Sequence, residues 1–234
     1  MNKETEKEFI EAVVKEYTNN KIISEELCNV KYVKETDGSF IQIGLRQLIE
    51  EEIFDLKNLV SMLHLGMGRS IAIGEIKFFV EKINEEIASE NEYLISLDDL
   101  SQIKEKINKL NPNFARVVII VTPQVKYHLN MFELINYYYE DGLLKEFIKG
   151  SGMQIVTVNS SLLDNSLIVY ERDKLESIYK KVDKNDLFID INRVKEGYDV
   201  VVRSIMKVNI SPHTMIKFKL TSTHKKPELN NTLF

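Results

Sequence analysis

Val117, Val118, Ile119, Ile120 and Val121 are five consecutive β-branched residues, and Thr122-Pro123 follows them without a break. An unbroken apolar run of this kind suits a strand covered on both faces, because alternation disappears once neither face meets water. The next two residues suit a helix start: Thr can cap, and Pro fits the first helical position, where its missing N–H costs nothing. A strand buried on both sides needs layers above and below it. The chain must therefore build an α/β block with a thick core. A hydrophobic fraction of 44%, with ten Tyr and eleven Phe, can supply that core in 234 residues.

Other elements are predicted around this strand. Ser96-Leu97-Asp98-Asp99 caps and opens a helix that ends before Pro112, with its acids in the first turn. The helix from Thr122-Pro123 turns Val125, Leu129, Phe132 and Ile135 inward. Leu143–Ile148 reads as a short helix closed by Gly150. Strands are expected at Met153–Val158 and Leu167–Tyr170, joined by a turn at Asp164-Asn165. A short helix at Asp173–Tyr179 and a strand at Leu187–Ile191 come next. The end is β: Tyr198, Val200, Val202, Met206 and Val208 share a face, and Ile216, Phe218 and Leu220 alternate with Lys217 and Lys219. Residues 221–234 read as a polar tail.

The first ninety residues have a different rhythm. Phe9, Ile10, Val13, Val14 and Tyr17 form one stripe of an amphipathic helix over residues 3–19. The period then changes to two. Val30 and Tyr32 lie before Asp37-Gly38, a strong hairpin signal, and Ile41, Ile43 and Leu45 alternate after it. The pattern predicts a two-stranded arm, which would be marginal alone in water and so must lean on its own body or on a neighbour. Its candidate bridging residues are Tyr32, Asp37, Gly38, Phe40, Ile41 and Ile43. Residues 50–90 are expected to be mainly helical, with one stripe at Leu56, Leu59, Val60 and Leu63 and another at Ile76, Phe79, Val80, Ile83 and Ile87. Gly66, Gly68 and Gly74 each weaken a helix by roughly 1 kcal/mol relative to Ala. They predict a break near Gly66–Gly68, or close packing there.

No motif supports catalysis. Gly66-Met67-Gly68-Arg69-Ser70 lacks the third glycine of a dinucleotide loop, and a helical stretch rather than a strand precedes it. Lys149-Gly150-Ser151-Gly152 has its lysine before the glycines, the reverse of a phosphate-binding loop. His64, His128, His213 and His224 do not pair at metal-ligand spacing, and Cys28 stands alone. Asp98-Asp99 and Glu50-Glu51-Glu52 suit first helical turns. The expectation is therefore no catalytic residue, no cofactor and no metal. A net charge of -5 argues against a dedicated nucleic-acid surface. One cysteine suits a reducing compartment, and no apolar run suggests a signal peptide or a membrane span. Tyr137-Tyr138-Tyr139 on a helix could not all face one core. Either Tyr138 or a neighbour reaches an interface, or the buried face is wide.

The order of elements is an N-terminal helical arm, a hairpin arm, a long helix, an α/β block and returning β-strands. It resembles the Hong Kong 97-type fold of tailed-phage major capsid proteins and the related encapsulins. The likeness is best from Leu97 to Leu220. Val117–Val121 with Thr122-Pro123 resembles the strand-then-proline step of the family's axial domain, and Tyr127-His128-Leu129 its Tyr-x-Leu segment. Met153-Gln154-Ile155-Val156 resembles its glycine-preceded strand, and Asn159–Val169 its loop into Leu-Ile-Val. The resemblance implies an α+β fold with five parts. These are an N-terminal arm at 1–28, an extended loop at 29–47, a peripheral domain at 48–96 and 192–220, an axial domain at 97–191 and a tail at 221–234. It further implies a non-enzymatic shell built from many copies of this chain, enclosing DNA in a virion or, alternatively, cargo protein in a cytoplasmic nanocompartment. A different class of reading is a small α/β enzyme or ligand-binding module with a deep pocket at strand ends.

Overall fold

The computed structural model describes residues 3–50, 57–87, 89–96, 105–106, 117–131, 134–140, 143–149, 152–159, 163, 165–181, 187–211 and 215–221. The chain forms two compact units, one from Met1–Glu86 with Arg172–Pro212 and one from Ile87–Glu171 with His213–Phe234.

The first unit is a twisted sheet under two helices. Helix α1 spans Lys3–Leu27, β1 Asn29–Val33, β2 Ile41–Glu50 and α2 Lys57–Glu86. The organising strand is β11, Gly197–Ile210. It runs antiparallel to β2 from Gly197 to Met206. It also pairs antiparallel with β10 (Phe188–Val194) and then with β9 (Leu175–Lys180), and β1 adds to β9 in parallel. Alternate residues of β11, from Tyr198 through Val200, Val202 and Ser204 to Met206, are buried. They face the helices, in keeping with the two-residue period of a strand. Phe9, Val13 and Tyr17 of α1 and Met67, Ile71 and Ala72 of α2 share a core with Val200, Val202 and Ile49 of the sheet.

Three expectations change in this unit. Helix α1 extends past residue 19 to Leu27. Helix α2 runs unbroken through Gly66 and Gly68; Gly68 marks close packing, while Gly66 faces open space. A Cβ on Gly68 would stand 2.4 Å from the Val13 carbonyl oxygen and 2.7 Å from the Tyr17 nitrogen. Residues 29–47 do not form a self-paired hairpin: β1 and β2 bind different partners, β9 and β11. An isolated ribbon gains little, whereas joining the larger sheet buries Ile49 and half-buries Ile41, Ile43 and Leu45. The turn at Gly38-Ser39 remains, inside the loop that joins the two strands. Gly197 starts β11 at φ 145°, and a Cβ there would lie 2.2 Å from the Ile49 carbonyl oxygen. The backbone of β2 can approach that closely only because the residue is glycine.

The second unit is a seven-stranded sheet in the order β3-β12-β8-β4-β7-β6-β5. Its strands are β3 Glu92–Ser96, β4 Val117–Val121, β5 Ile135–Glu140, β6 Leu143–Ile148, β7 Gln154–Thr157, β8 Ser166–Glu171 and β12 Met215–Thr221. The predicted strand β4 is central, with all five residues buried, parallel to β7 and antiparallel to β8. Helix α3, Pro123–Met131, starts at the predicted cap: the Val125 amide donates to Thr122 Oγ1 at 3.3 Å. Val125 and Leu129 enter the core beside Ile119, Val169 and Phe218.

Two predicted helices are strands, and Tyr137–Tyr139 lie on a strand as well. Tyr137–Tyr139 form part of β5, and Leu143–Ile148 is β6, paired with it from Ile135↔Ile148 to Glu140↔Leu143. A strand sends successive tyrosines to opposite faces, which removes the crowding a helix would impose. Asp173–Tyr179 is a single 3-10 turn, Arg172–Lys174, followed by β9. Of the helix expected after Ser96, only Glu105 and Lys106 lie within the described residues, and both are helical. Side chains of the Leu56–Leu63 stripe, Gly150 and the tail beyond Thr221 lie outside them.

Candidate assembly surfaces

Six of the seven sequence-predicted contact residues fall on the first unit. Tyr32 of β1 is partly exposed, its ring 6.1 Å from that of Tyr179. Its hydroxyl accepts from Lys21 Nζ at 3.4 Å. Lys21 itself is buried, and its ammonium stands 3.8 Å from the Tyr179 ring centre and 5.1 Å from that of Tyr32. Ring faces stabilise a desolvated cation in this position. Below it, the buried Glu75 of α2 accepts from the Tyr17 hydroxyl at 2.8 Å and the Tyr179 hydroxyl at 3.3 Å. Burial pushes the Glu75 carboxyl above the ordinary range, while Ser204, the Lys21 charge and the two tyrosines pull it back. Tyr32 thus caps a polar knot joining α1, α2, β1 and β9. Sequence could not show this knot, since its members are far apart in the chain.

Asp37 and Gly38 lie in the exposed loop between β1 and β2. The Ser39 amide donates to Asp37 Oδ1 at 2.9 Å, the Ser39 hydroxyl reaches the same oxygen, and Lys207 Nζ lies 3.2 Å from Oδ2. The Ser39 contacts first, then Lys207, hold the Asp37 carboxyl down at about 2. Phe40 is half-buried with Lys207 Nζ 4.8 Å from its ring centre. Ile41 and Ile43 begin β2 opposite Met206 and Ser204. Ile43 also touches α2, since a Cβ on Gly74 would stand 2.9 Å from its Cγ2. The loop is therefore pinned to its own β11.

The opposite face of this sheet carries charge pairs. Arg46 grips Asp199 through two nitrogens, each at 2.9 Å, and Arg203 meets Asp190 at 2.9 Å. Leu48 stands exposed on β2 opposite Asp199, beyond the Arg46–Asp199 pair.

Tyr138, the seventh residue, lies on β5 of the second unit. It is 56% exposed and packs edge-on against Phe147 at 5.7 Å. Tyr137 and Tyr139 point to the other face, where the Tyr137 hydroxyl donates to Asn130 Oδ1 at 2.8 Å. Sequence reasoning missed Tyr127, Met131 and Leu144, all exposed near this ribbon. The helix assumed for β6 hid Leu144.

Among the described residues no group of three His, Cys, Asp or Glu side chains is placed to hold a metal. The gap lined by Cys28, Glu75, Ser177 and Tyr179 leaves no room for a water. Burial raises the Cys28 thiol, and its sulfur donates to Ser177 Oγ at 3.1 Å. A thiol held protonated is a poor nucleophile. No helix among the described residues is long and apolar enough to cross a membrane.

Against known proteins, no family model and no curated sequence matches the chain. Solved structures do. A virus-like particle protein from Pyrococcus furiosus superposes with a TM-score of 0.54 at 12% identity, covering 90% of this chain and 99% of that one. The capsid of cyanophage P-SCSP1u gives 0.58 at 12%, covering 85% and 88%. The SrpI encapsulin of Synechococcus elongatus PCC 7942 gives 0.57 at 10%, covering 84% and 86%. The chain has the α+β fold that these shells share, the Hong Kong 97-type capsid fold.

Proposed function

We propose that this chain is a self-assembling shell protein whose copies close into an icosahedral particle. The observation that carries this reading is coverage: the fold matches phage capsid and encapsulin subunits along more than four-fifths of both chains. In this reading the peripheral domain, 48–96 and 192–220, draws mainly on the first unit, with α2 as its spine, and the axial domain, 97–191, mainly on the second. Tyr32, Asp37, Gly38, Phe40, Ile41 and Ile43 form the edge that meets a neighbouring subunit, and burial of apolar surface between copies drives closure. The pinning of Asp37 by Lys207 supports a loop held ready for that contact. No step of covalent chemistry is required.

The content we assign first is DNA, making the particle a virion assembled in the host cytoplasm. An encapsulin-type nanocompartment holding cargo protein is the second reading, favoured by the match to SrpI. Size-exclusion chromatography followed by negative-stain microscopy tests the shell, and nuclease treatment with absorbance spectra of the particles tests their contents. Hollow particles with nuclease-protected DNA support the viral reading; particles with a single co-purifying protein support the second. A compact monomer at every concentration contradicts both.

A further inference from the structure

Helix α1 carries Lys3, Lys7, Lys15 and Lys21. The first three are exposed, as a solvated helix face should be, but Lys21 is only 3% exposed. Its ammonium lies against three rings, 3.8 Å from the centre of Tyr179, 5.1 Å from that of Tyr32 and 5.2 Å from that of Tyr17. The rings come from three elements. Tyr17 is the (i, i+4) neighbour of Lys21 on α1, while Tyr32 of β1 and Tyr179 of β9 are direct partners in the parallel register. Tyr17 and Tyr179 are fully buried. Each donates its hydroxyl to one oxygen of Glu75, at 2.8 and 3.3 Å, and the Tyr32 hydroxyl accepts from Lys21 Nζ at 3.4 Å. Among the described residues Lys21 is the one buried side chain between Tyr17 and Leu27. This part of α1 is therefore held by a cation where an apolar residue would be expected.

An ammonium taken out of water is costly to keep unless negative charge compensates it. Ring faces supply that compensation, and several rings around one cation are the arrangement by which proteins recognise ammonium ligands. Donation to Glu75 leaves the Tyr17 and Tyr179 rings richer in electrons, which strengthens their pull on the cation. The same hydrogen bonds fix how those two rings stand. We propose that Tyr17, Tyr32 and Tyr179, with Glu75 as counter-charge, form a site for a primary alkylammonium ion, and that Lys21 fills it from within the same chain. The hold of α1 on the sheet then depends on charge as well as on fit. This site stands independently of the shell reading, because every member lies in the first unit of one chain.

Lys21→Ala in the full chain tests it, because the truncation removes the outline of a propylammonium ion. For a dissociation constant of about 10 mM, about 100 mM propylammonium chloride should raise the folded-to-unfolded ratio of this variant roughly tenfold over the same concentration of sodium chloride. Urea unfolding followed by circular dichroism reads that ratio. The wild type, whose site is filled, should not respond, and 1-propanol, which has the shape without the charge, should not rescue the variant. Equal rescue by sodium chloride or by 1-propanol, or an equal response of the wild type, overturns the proposal. A second pair of variants covers a folding failure of Lys21→Ala. Tyr32 is 43% exposed, so Tyr32→Phe and Tyr32→Leu should both fold. Reductive methylation followed by mass spectrometry then compares Lys21 with exposed Lys15 on the same helix. In the wild type Lys21 should react at least about tenfold more slowly than Lys15, since it reacts only when the site opens. Tyr32→Phe keeps the ring, and Lys21 should react about fivefold faster in Tyr32→Leu than in Tyr32→Phe. Equal Lys21 rates in the two variants, or a wild-type Lys21 as reactive as Lys15, overturn the proposal and leave the shell reading standing.

Discussion

Gly66 and Gly68 are one helical turn's neighbours on α2, yet the structure assigns them opposite responses to the same methyl group. Gly66 is exposed, and a Cβ there meets nothing within 4 Å. Alanine at an exposed helix position is favoured over glycine by about 1 kcal/mol, so Gly66→Ala should stabilise by about that amount. At Gly68 the same gain is opposed by a Cβ 2.4 Å from the Val13 carbonyl oxygen and 2.7 Å from the Tyr17 nitrogen. Both obstacles are backbone, so no rotamer can relieve them. Helix α1 must shift by about 1 Å to restore van der Waals separation, loosening Phe9, Val13 and Tyr17 against Met67, Ile71 and Ala72. Overpacking of this kind costs about 1–3 kcal/mol, and the shift adds lost core contact. Subtracting the propensity gain leaves about 0–2 kcal/mol, and the lost core contact makes the net change a loss. Urea unfolding of the dissociated subunit, followed by circular dichroism, should place the two midpoints on opposite sides of wild type with similar m values. If Gly68→Ala stabilises as much as Gly66→Ala, α1 does not dock on α2 as described.

Other consequences follow from single contacts. Glu75 has a raised carboxyl in the folded state, so the folded protein keeps a proton that the unfolded chain has released at the same pH. Stability should then rise as pH falls from the raised folded value towards the ordinary value of 4.5. Glu75→Gln should flatten that slope in urea midpoints measured across the range, and Glu75→Ala, which removes the acceptor of the Tyr17 and Tyr179 hydroxyls and the charge that faces Lys21, should destabilise by about 3 kcal/mol. Asp37 behaves oppositely: held down at about 2, it stays ionised until the pH falls through that value, and a carboxylate NMR titration should show the depressed midpoint return towards 3.8 in Ser39→Ala. Thr122→Ala removes the cap on α3 and should cost about 1 kcal/mol in thermal or urea unfolding. Deleting residues 31–44, acceptable for a free hairpin, would here remove most of β1 and the start of β2 from the sheet. The truncated chain should lose solubility, seen as loss of the soluble fraction on expression, whereas shortening only the 34–40 loop should not.

Where the sequence could be read, local pattern and tertiary placement agreed. Val117–Val121 has no polar residue to expose, so only a doubly covered strand could hold it, and Thr122-Pro123 fixes the helix start by backbone chemistry alone. The alternation of Tyr198 to Met206 likewise survives in β11. The failures occur where partner choice decides. Asp37-Gly38 signals a reversal of the chain, but the strands on either side are claimed by β9 and β11, which lie more than a hundred residues further along the chain. Leu143–Ile148 is rich in good helix formers, and pairing with the tyrosines of β5 overrides that weak preference. Tyr137–Tyr139 would crowd one another only on a helix; the strand frees all three, and two of the three side chains lie more than half exposed. The Lys21–Glu75 knot leaves no local trace, since its partners meet only after α1 and α2 dock on the sheet.

Light scattering on the purified chain, eluting from a sizing column, tests the shell directly. A closed shell predicts a discrete species of at least about 1.6 MDa, the mass of about sixty copies of a 27.2 kDa chain arranged with icosahedral symmetry. A single species at 27.2 kDa, unchanged as the protein is concentrated, would contradict it.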